Sequence, residues 1–350
     1  MRRVTKLAAV LATVTLGLAA CSSSDSDSGP TPSASASSAA KSDIKVGMAY
    51  DIGGRGDQSF NDSAAIGLDK AKTDLGVEIK ELEASASDTD SSKEERLRLL
   101  AQGGYDPVIA VGFAYATPLG KVAKEFPDTQ FAIIDDSSLK DANVTSLVFA
   151  EEQGSYLVGA IAAQASKTKD IGFIGGVNTP LIAKFEAGFT AGAKAVTPDI
   201  KVQVKYLTQS PDFSGFNAPD KGKTTATGMY DAGADVVYHA AGGSGSGVFD
   251  AAAAAKQLAI GVDSDQYLTA ATAVKPVILT SMIKRVDTAV FDMIKSVVDG
   301  KPLTGTQTFD LKSDGIGYST SNSIVEPFTA KTDEFKAKII SGEITVPTTP

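Results

Sequence analysis

From Ile44 onward the chain alternates short apolar runs with longer stretches of helical periodicity, and it runs through that plan twice. Alternation of this kind builds βαβ units around a parallel sheet. Ten runs read as strands, at 44–50, 77–82, 108–111, 131–134, 146–149, 171–175, 202–207, 236–240, 260–262 and 277–283. Helical patterns lie between them at 64–75, 93–102, 118–125, 155–165, 181–195, 220–231 and 247–258, with another at 286–298. Ten strands with their crossovers exceed one comfortable sheet. The second series also opens, at Ile171, on the plan of the first at Ile44. The expected fold is α/β, with two Rossmann-like lobes of parallel sheet joined by a multi-strand hinge. The first lobe is expected over 44–150 plus about 280–305, and the second over 151–279 plus about 306–345. A hinge of several strands closes lobes around a ligand, and ligands of open α/β sheets sit beyond the carboxyl ends of the strands.

The chain begins with Arg2, Arg3 and Lys6, an apolar run from about Leu7 to Gly17, and Leu18-Ala19-Ala20-Cys21. This is an export signal, too short for a membrane span of about 20 apolar residues. Cys21 is the sole cysteine. It falls where a thiol takes a diacylglyceryl group and becomes the mature N-terminus, so residues 1–20 read as a lipoprotein signal peptide. Residues 21–43 then form the lipidated cysteine and a Ser/Ala/Asp-rich tether with too little apolar surface to repay ordering. The expected location is the extracytoplasmic face of the cell membrane, held by lipid.

Cleavage after Ala20 removes three positive charges and no acid, moving the net charge from −9 to −12. Nucleic acid is excluded as a partner, because it demands a basic face. Stapling by disulfides is impossible with one cysteine. A Ser-His-Asp triad has only His239 to use, and no G-x-S-x-G elbow accompanies it. Zinc sites built from His and Cys and the P-loop are likewise absent, and no cofactor is expected. His239 lies in the apolar run Val236–Ala240 and reads as a buried, hydrogen-bonded structural histidine.

After the first strand comes Asp51-Ile52-Gly53-Gly54-Arg55-Gly56-Asp57-Gln58-Ser59-Phe60-Asn61. Phe60, in polar surroundings, serves either as a flat face for stacking a ring or as a plug in the core. Asp57 accepts hydrogen bonds while Asn61 both donates and accepts, a pairing suited to the edge of a nucleobase. A second glycine-rich stretch, Ala241–Gly247, follows the strand that holds His239. With no Arg or Lys in that loop, close approach of its backbone to a sugar is favoured over a phosphate cradle.

The loop Asp-x-Gly-(x)3-Asp-x-Ser-Phe-Asn resembles the opening motif of the basic membrane protein family, which comprises ABC-transporter substrate-binding lipoproteins and includes purine nucleoside receptors. The likeness continues through Gly103–Phe113, Phe131–Asp135, Glu152–Gly159, Gly175-Gly176, Phe185–Phe189 and Gly261–Gln266. The resemblance implies a type I periplasmic binding protein fold and capture of a nucleoside, most simply a purine nucleoside, for delivery to a permease and its ATPase. It implies that Phe60 is one wall of an aromatic sandwich and Phe185 or Phe189 the other, with Asp57 and Asn61 at the base edge. Asp135, Gly242 or Gly243, Asp263 and Lys284 would surround the ribose hydroxyls. No reaction is expected, and the protein is expected to be a monomer. The competing readings are a sugar- or amino-acid-binding lipoprotein of the same fold, a nucleoside-processing enzyme using Asp51 and Asp57 as acid and base, and a ligand sensor.

Overall fold

The computed structural model describes residues 42–84 and 88–350. Cys21, the signal peptide and most of the tether lie outside the described residues. The first lobe is laid down by β1 (Lys45–Ala49), α1 (Phe60–Leu75), β2 (Glu78–Leu82), α2 (Asp90–Gln102), β3 (Val108–Ala110), α3 (Ala116–Glu125), β4 (Phe131–Ile134) and β5 (Val144–Phe149). The chain then crosses into the second lobe with α4 (Glu151–Ala165), β6 (Asp170–Asn178), α5 (Pro180–Val196), β7 (Lys201–Gln209), α6 (Pro219–Asp231) and β8 (Val236–Ala240). That lobe continues with α7 (Gly245–Ala255), β9 (Leu258–Asp263), a single turn α8 (Gln266–Thr269) and β10 (Ile278–Lys284). The remainder is α9 (Val286–Val298), β11 (Gly305–Phe309), β12 (Ile316–Tyr318) and α10 (Glu326–Ile340).

Two six-stranded sheets result, in the orders β11-β5-β4-β3-β1-β2 and β12-β10-β9-β8-β6-β7. Each strand of one sheet has a counterpart in the other, so the repeat expected from the sequence is realised as two lobes of one plan. All pairings are parallel except β10 with β12. Inner strands such as β4 and β8 are buried along their whole length, as parallel strands covered by helices on both faces must be.

The chain passes between lobes after Phe149, after Lys284 and between β11 and β12. The second and third crossings fall elsewhere than expected. Residues 278–284 pair with β9 and belong to the second sheet, and β11 returns to pair with β5 in the first. An apolar run such as Ile278–Ile283 suits either sheet, and only its pairing partner decides. β11 is short and largely polar, and β12 is only three residues long, so neither carries the apolar run of a buried strand. In the second lobe α4 and α5 lie so close that a Cβ on Gly192 would meet the Tyr156 carbonyl oxygen at 1.9 Å.

Candidate functional site

A cavity opens between the lobes at the carboxyl ends of the strands. Asp51 follows β1, Gly112 follows β3, Asp135 follows β4, Gly242 follows β8, Asp263 ends β9 and Lys284 ends β10. The topology thus delivers one polar group per strand end to the same hollow.

The glycine-rich loop after β1 is organised by Asp57. Its carboxylate accepts from the backbone N–H groups of Ser59 and Asn61 at 2.9 Å and of Asp62 at 3.1 Å, and from Asn61 Nδ2 at 3.0 Å. Burial still pushes it up to about 6, with those hydrogen bonds pulling the other way. Asn61 is also engaged in the loop. Its Oδ1 accepts from the Asp51 N–H at 3.1 Å, and its Nδ2 also donates to the Ile52 carbonyl at 3.3 Å. Both residues border the cavity; the Asp57 carboxylate is taken up in shaping the loop, while Asn61 Oδ1 keeps a second lone pair beyond the Asp51 N–H. Phe60 is the first residue of α1 and not part of the loop.

Asp51 is freer. One carboxylate oxygen accepts from the Ile52 N–H at 2.8 Å, and burial raises the group to about 6 against the pull of that N–H and of Lys93. Its other oxygen would lie 2.6 Å from a Cβ on Gly112, whose φ of +105° also demands glycine. Sequence reasoning weighed Asp51 only as a catalytic acid.

Across the hollow, Lys284 is 1% exposed and donates to Asp135 Oδ2 at 2.6 Å, with Glu151 at 3.4 Å. Burial pulls the lysine down, but Asp135, Glu151 and Asp263 together hold it above the ordinary value. Burial drives Asp135 up, Lys284 pulls it back, and Glu151 and Asp263 add to the rise. Asp263 is raised for the same first reason. Asp135 and Asp263 occupy equivalent strand ends in the two lobes, and both take the left-handed conformation, at φ +68° and +64°. Side chains other than Gly, Asn and Asp rarely tolerate it. Asp135 Oδ1 is buried and has no hydrogen-bond partner among the described residues.

The Lys284 ammonium also sits 5.1 Å from the centre of the Phe60 ring and 5.7 Å from that of Phe185. Those rings come from α1 and α5, one in each lobe, and both line the cavity. Phe189 does not; it is fully buried against Tyr238 and Phe173. Gly242 lines the cavity, whereas Gly243 lies in an adjoining hollow with Gly53, Gly56 and Asn217. Phe113 and Phe216, absent from the expected set, close another side and meet edge to face across the lobes with centres 6.4 Å apart. Phe113 follows β3 directly, so the strand-end rule points to it; Phe216, in the loop after β7, carries no such signal. His239 is buried edge-on to Phe249, and burial pushes it down to about 3. Its ring nitrogens make no hydrogen bond of good geometry among the described residues, and Gln266 only pulls it partway back up, so burial dominates at the histidine that the sequence read as hydrogen-bonded. Among the described residues no cluster of His, Cys, Asp and Glu is arranged to hold a metal ion.

The sequence model of the Bmp family, described as ABC transporter substrate-binding protein PnrA-like, matches residues 44–350. The chain belongs to this family. Members similar to it include the ABC transporter nucleoside-binding protein BmpA of Lactococcus lactis, 36% identical over 329 residues that cover 88% of this chain and 90% of that protein. A lipoprotein of Pyrococcus horikoshii is 38% identical over 290 residues, covering 79% of this chain and 68% of its own. The crystal structure of an ABC transporter solute-binding protein from Aeropyrum pernix superposes with a TM-score of 0.75 at 31% identity, over 87% of this chain and 93% of that one. The two-lobed α/β architecture is therefore that of the type I solute-binding proteins, and the cavity lies between the lobes beyond the carboxyl ends of the strands, where open α/β sheets bind ligands.

Proposed function

We propose that this Bmp-family protein captures a nucleoside, most simply a purine nucleoside, between its lobes and passes it unchanged to a permease driven by an ATPase. The observation that carries this reading is the pair Phe60 and Phe185. Two rings from opposite lobes flank one cavity, and both stand within 6 Å of Lys284, whose partner Asp135 keeps an unused buried acceptor. A flat base between the rings and a hydroxyl-rich sugar beside Asp135, Asp263 and Lys284 would satisfy both halves. Stacking is worth about 1–3 kcal/mol per base. A donor to Asp135 Oδ1 relieves a buried acceptor that otherwise costs about 1–3 kcal/mol. Gly242 supplies backbone close to the sugar, and Asp51 is the group freest to meet the base edge, with Asp57 and Asn61 holding the loop that carries it. The nucleoside-binding name of the Lactococcus relative supports the same class of ligand.

Cys21 would carry the lipid that keeps the protein at the extracytoplasmic face, in keeping with the lipoprotein relative, and a monomer suffices for a hinged binder. The nucleoside-processing enzyme reading pairs Asp51 with Asp57 as acid and base, and Asp57 is occupied by four hydrogen bonds. Calorimetry of the refolded, ligand-stripped protein against inosine, guanosine, adenosine, cytidine, free ribose and free bases tests the reading. Saturable binding of a purine nucleoside recovered intact supports it. Binding of ribose alone, or no heat with any nucleoside from protein that melts cooperatively, overturns it.

A further inference from the structure

Ser59 is the N-cap residue of α1, yet its side chain does not cap that helix. A serine at an N-cap ordinarily accepts from a backbone N–H of the first turn. Here Asp57, two residues earlier, has taken those donors, accepting from the Asn61 and Asp62 N–H groups. The Ser59 hydroxyl is released and donates to Asp263 Oδ2 at 2.6 Å. In return Ser264 Oγ donates to the Ser59 carbonyl at 2.9 Å. Ser59 belongs to the first lobe, and Asp263 and Ser264 stand at the end of β9 in the second. The left-handed backbone of Asp263, at φ +64°, turns this corner so that both residues reach Ser59. Ser59 is fully buried and is not among the residues lining the cavity, whereas Asp263 is.

We propose that Ser59 and Ser264 form a reciprocal latch between the lobes that favours the closed form and aims the Asp263 carboxylate at the ligand. Ser59 is thus a positioning residue that acts through Asp263. The proposal rests on the nucleoside reading only for the identity of the ligand; the latch itself does not. Lobe closure responds to any contact made in the closed form and lost in the open one, and two such contacts, one to a carboxylate, shift that balance measurably.

The test uses the full chain with Cys21→Ser, spin-labelled through Lys124→Cys in the first lobe and Thr227→Cys in the second, both exposed positions. Electron resonance then reads interlobe distances with and without inosine, and stopped flow reads the dissociation rate. Ser59→Ala is expected to lengthen the mean ligand-free distance and to raise the dissociation rate about tenfold or more, a loss in the range of one hydrogen bond to a charged group. Association should barely change. Ser264→Ala, which leaves the buried Ser59 side chain in place, should do the same to a smaller degree, so the latch remains testable if Ser59→Ala folds poorly. Distances and dissociation rates that superimpose on the parent's in both variants overturn the latch. Distances that lengthen in the variants while the parent takes up none of inosine, guanosine, adenosine and cytidine keep the latch and overturn the nucleoside reading instead.

Discussion

Lys284 Nζ lies 2.6 Å from Asp135 Oδ2, although the lysine ends a strand of one sheet and the aspartate follows a strand of the other. The contact spans the hinge side of the cleft and leaves the lysine as the central cation among Asp135, Glu151 and Asp263. Removing one partner of a buried ion pair strands the other charges, at a cost of about 3–5 kcal/mol.

Lys284→Met is accordingly expected to destabilise the protein by about that amount at pH 7, read by urea unfolding. Asp135 and Asp263 are already held above the usual carboxylate range by burial, and without the ammonium they rise further. A group with a raised folded value loses its stabilising contribution as pH climbs through that value. With Asp135 already at about 7 in the parent, the variant should therefore recover stability relative to the parent as pH falls from alkaline values through 7 toward 5, and a deficit constant over that whole range would refute the account.

Phe185 and Phe189 separate binding from packing. Phe185→Ala and Phe60→Ala should each weaken nucleoside binding by about 1–3 kcal/mol, the worth of stacking one base; Phe185, buried in the core, should also lose stability on truncation, and half-buried Phe60 less. Phe189→Ala removes a ring packed between Phe173 and Tyr238 and should cost about 3–5 kcal/mol of stability while sparing affinity in the folded fraction. Calorimetry paired with chemical unfolding distinguishes the two patterns.

Asp51 predicts a trade of stability against function. Burial raises it from 3.8 to about 6, so the folded state holds its proton more tightly than the unfolded chain does. Its contribution is complete below about pH 4 and declines as pH rises to about 6. Asp51→Asn should raise the melting temperature at pH 7.5 by about 2–4 °C, the shift for roughly 1 kcal/mol in a domain of this class. It should also reduce the slope between pH 4 and 6 and weaken nucleoside binding. Asp57 is raised in the same direction, so the slope shrinks without vanishing.

Phe113 meets Phe213 edge to face with centres 5.6 Å apart, in addition to Phe216, and both partners belong to the opposite lobe. Aromatic pairs of this geometry are worth about 0.5–1.5 kcal/mol each. Phe113→Ala should speed ligand dissociation about three- to tenfold with little effect on association. A double-mutant cycle with Phe216→Ala should show coupling between the two positions; strict additivity would place Phe113 outside the closing surface.

The doubly repeated alternation, the strand-end positions of Asp135, Asp263 and Lys284, and the loop running from Asp51 to Asn61 were all readable along the chain. Each rests on local pattern: apolar periodicity, and polar residues placed just after buried runs. Which of Asp51, Asp57 and Asn61 stays free for a ligand could not be read that way. All three are hydrogen-bonding side chains in one loop, and their division of labour depends on which backbone N–H groups the folded loop presents. The same holds for Phe185 and Phe189, one turn apart on α5, where the side chain facing the cleft is chosen by how that helix packs on β6 and α4.

The sequence by itself determined the α/β class, the two-lobed repeat and the set of strand ends from which a site must be drawn, because burial on both faces imposes a pattern on contiguous residues. Only the tertiary structure decided that residues 278–284 join the second sheet and β11 the first, that Ser59 gives up its cap to reach Asp263, and that Lys284 reaches Asp135. Those are pairings between segments up to about two hundred residues apart, and a pairing is chosen by the competition among all available partners in the folded chain, which no local run of residues records.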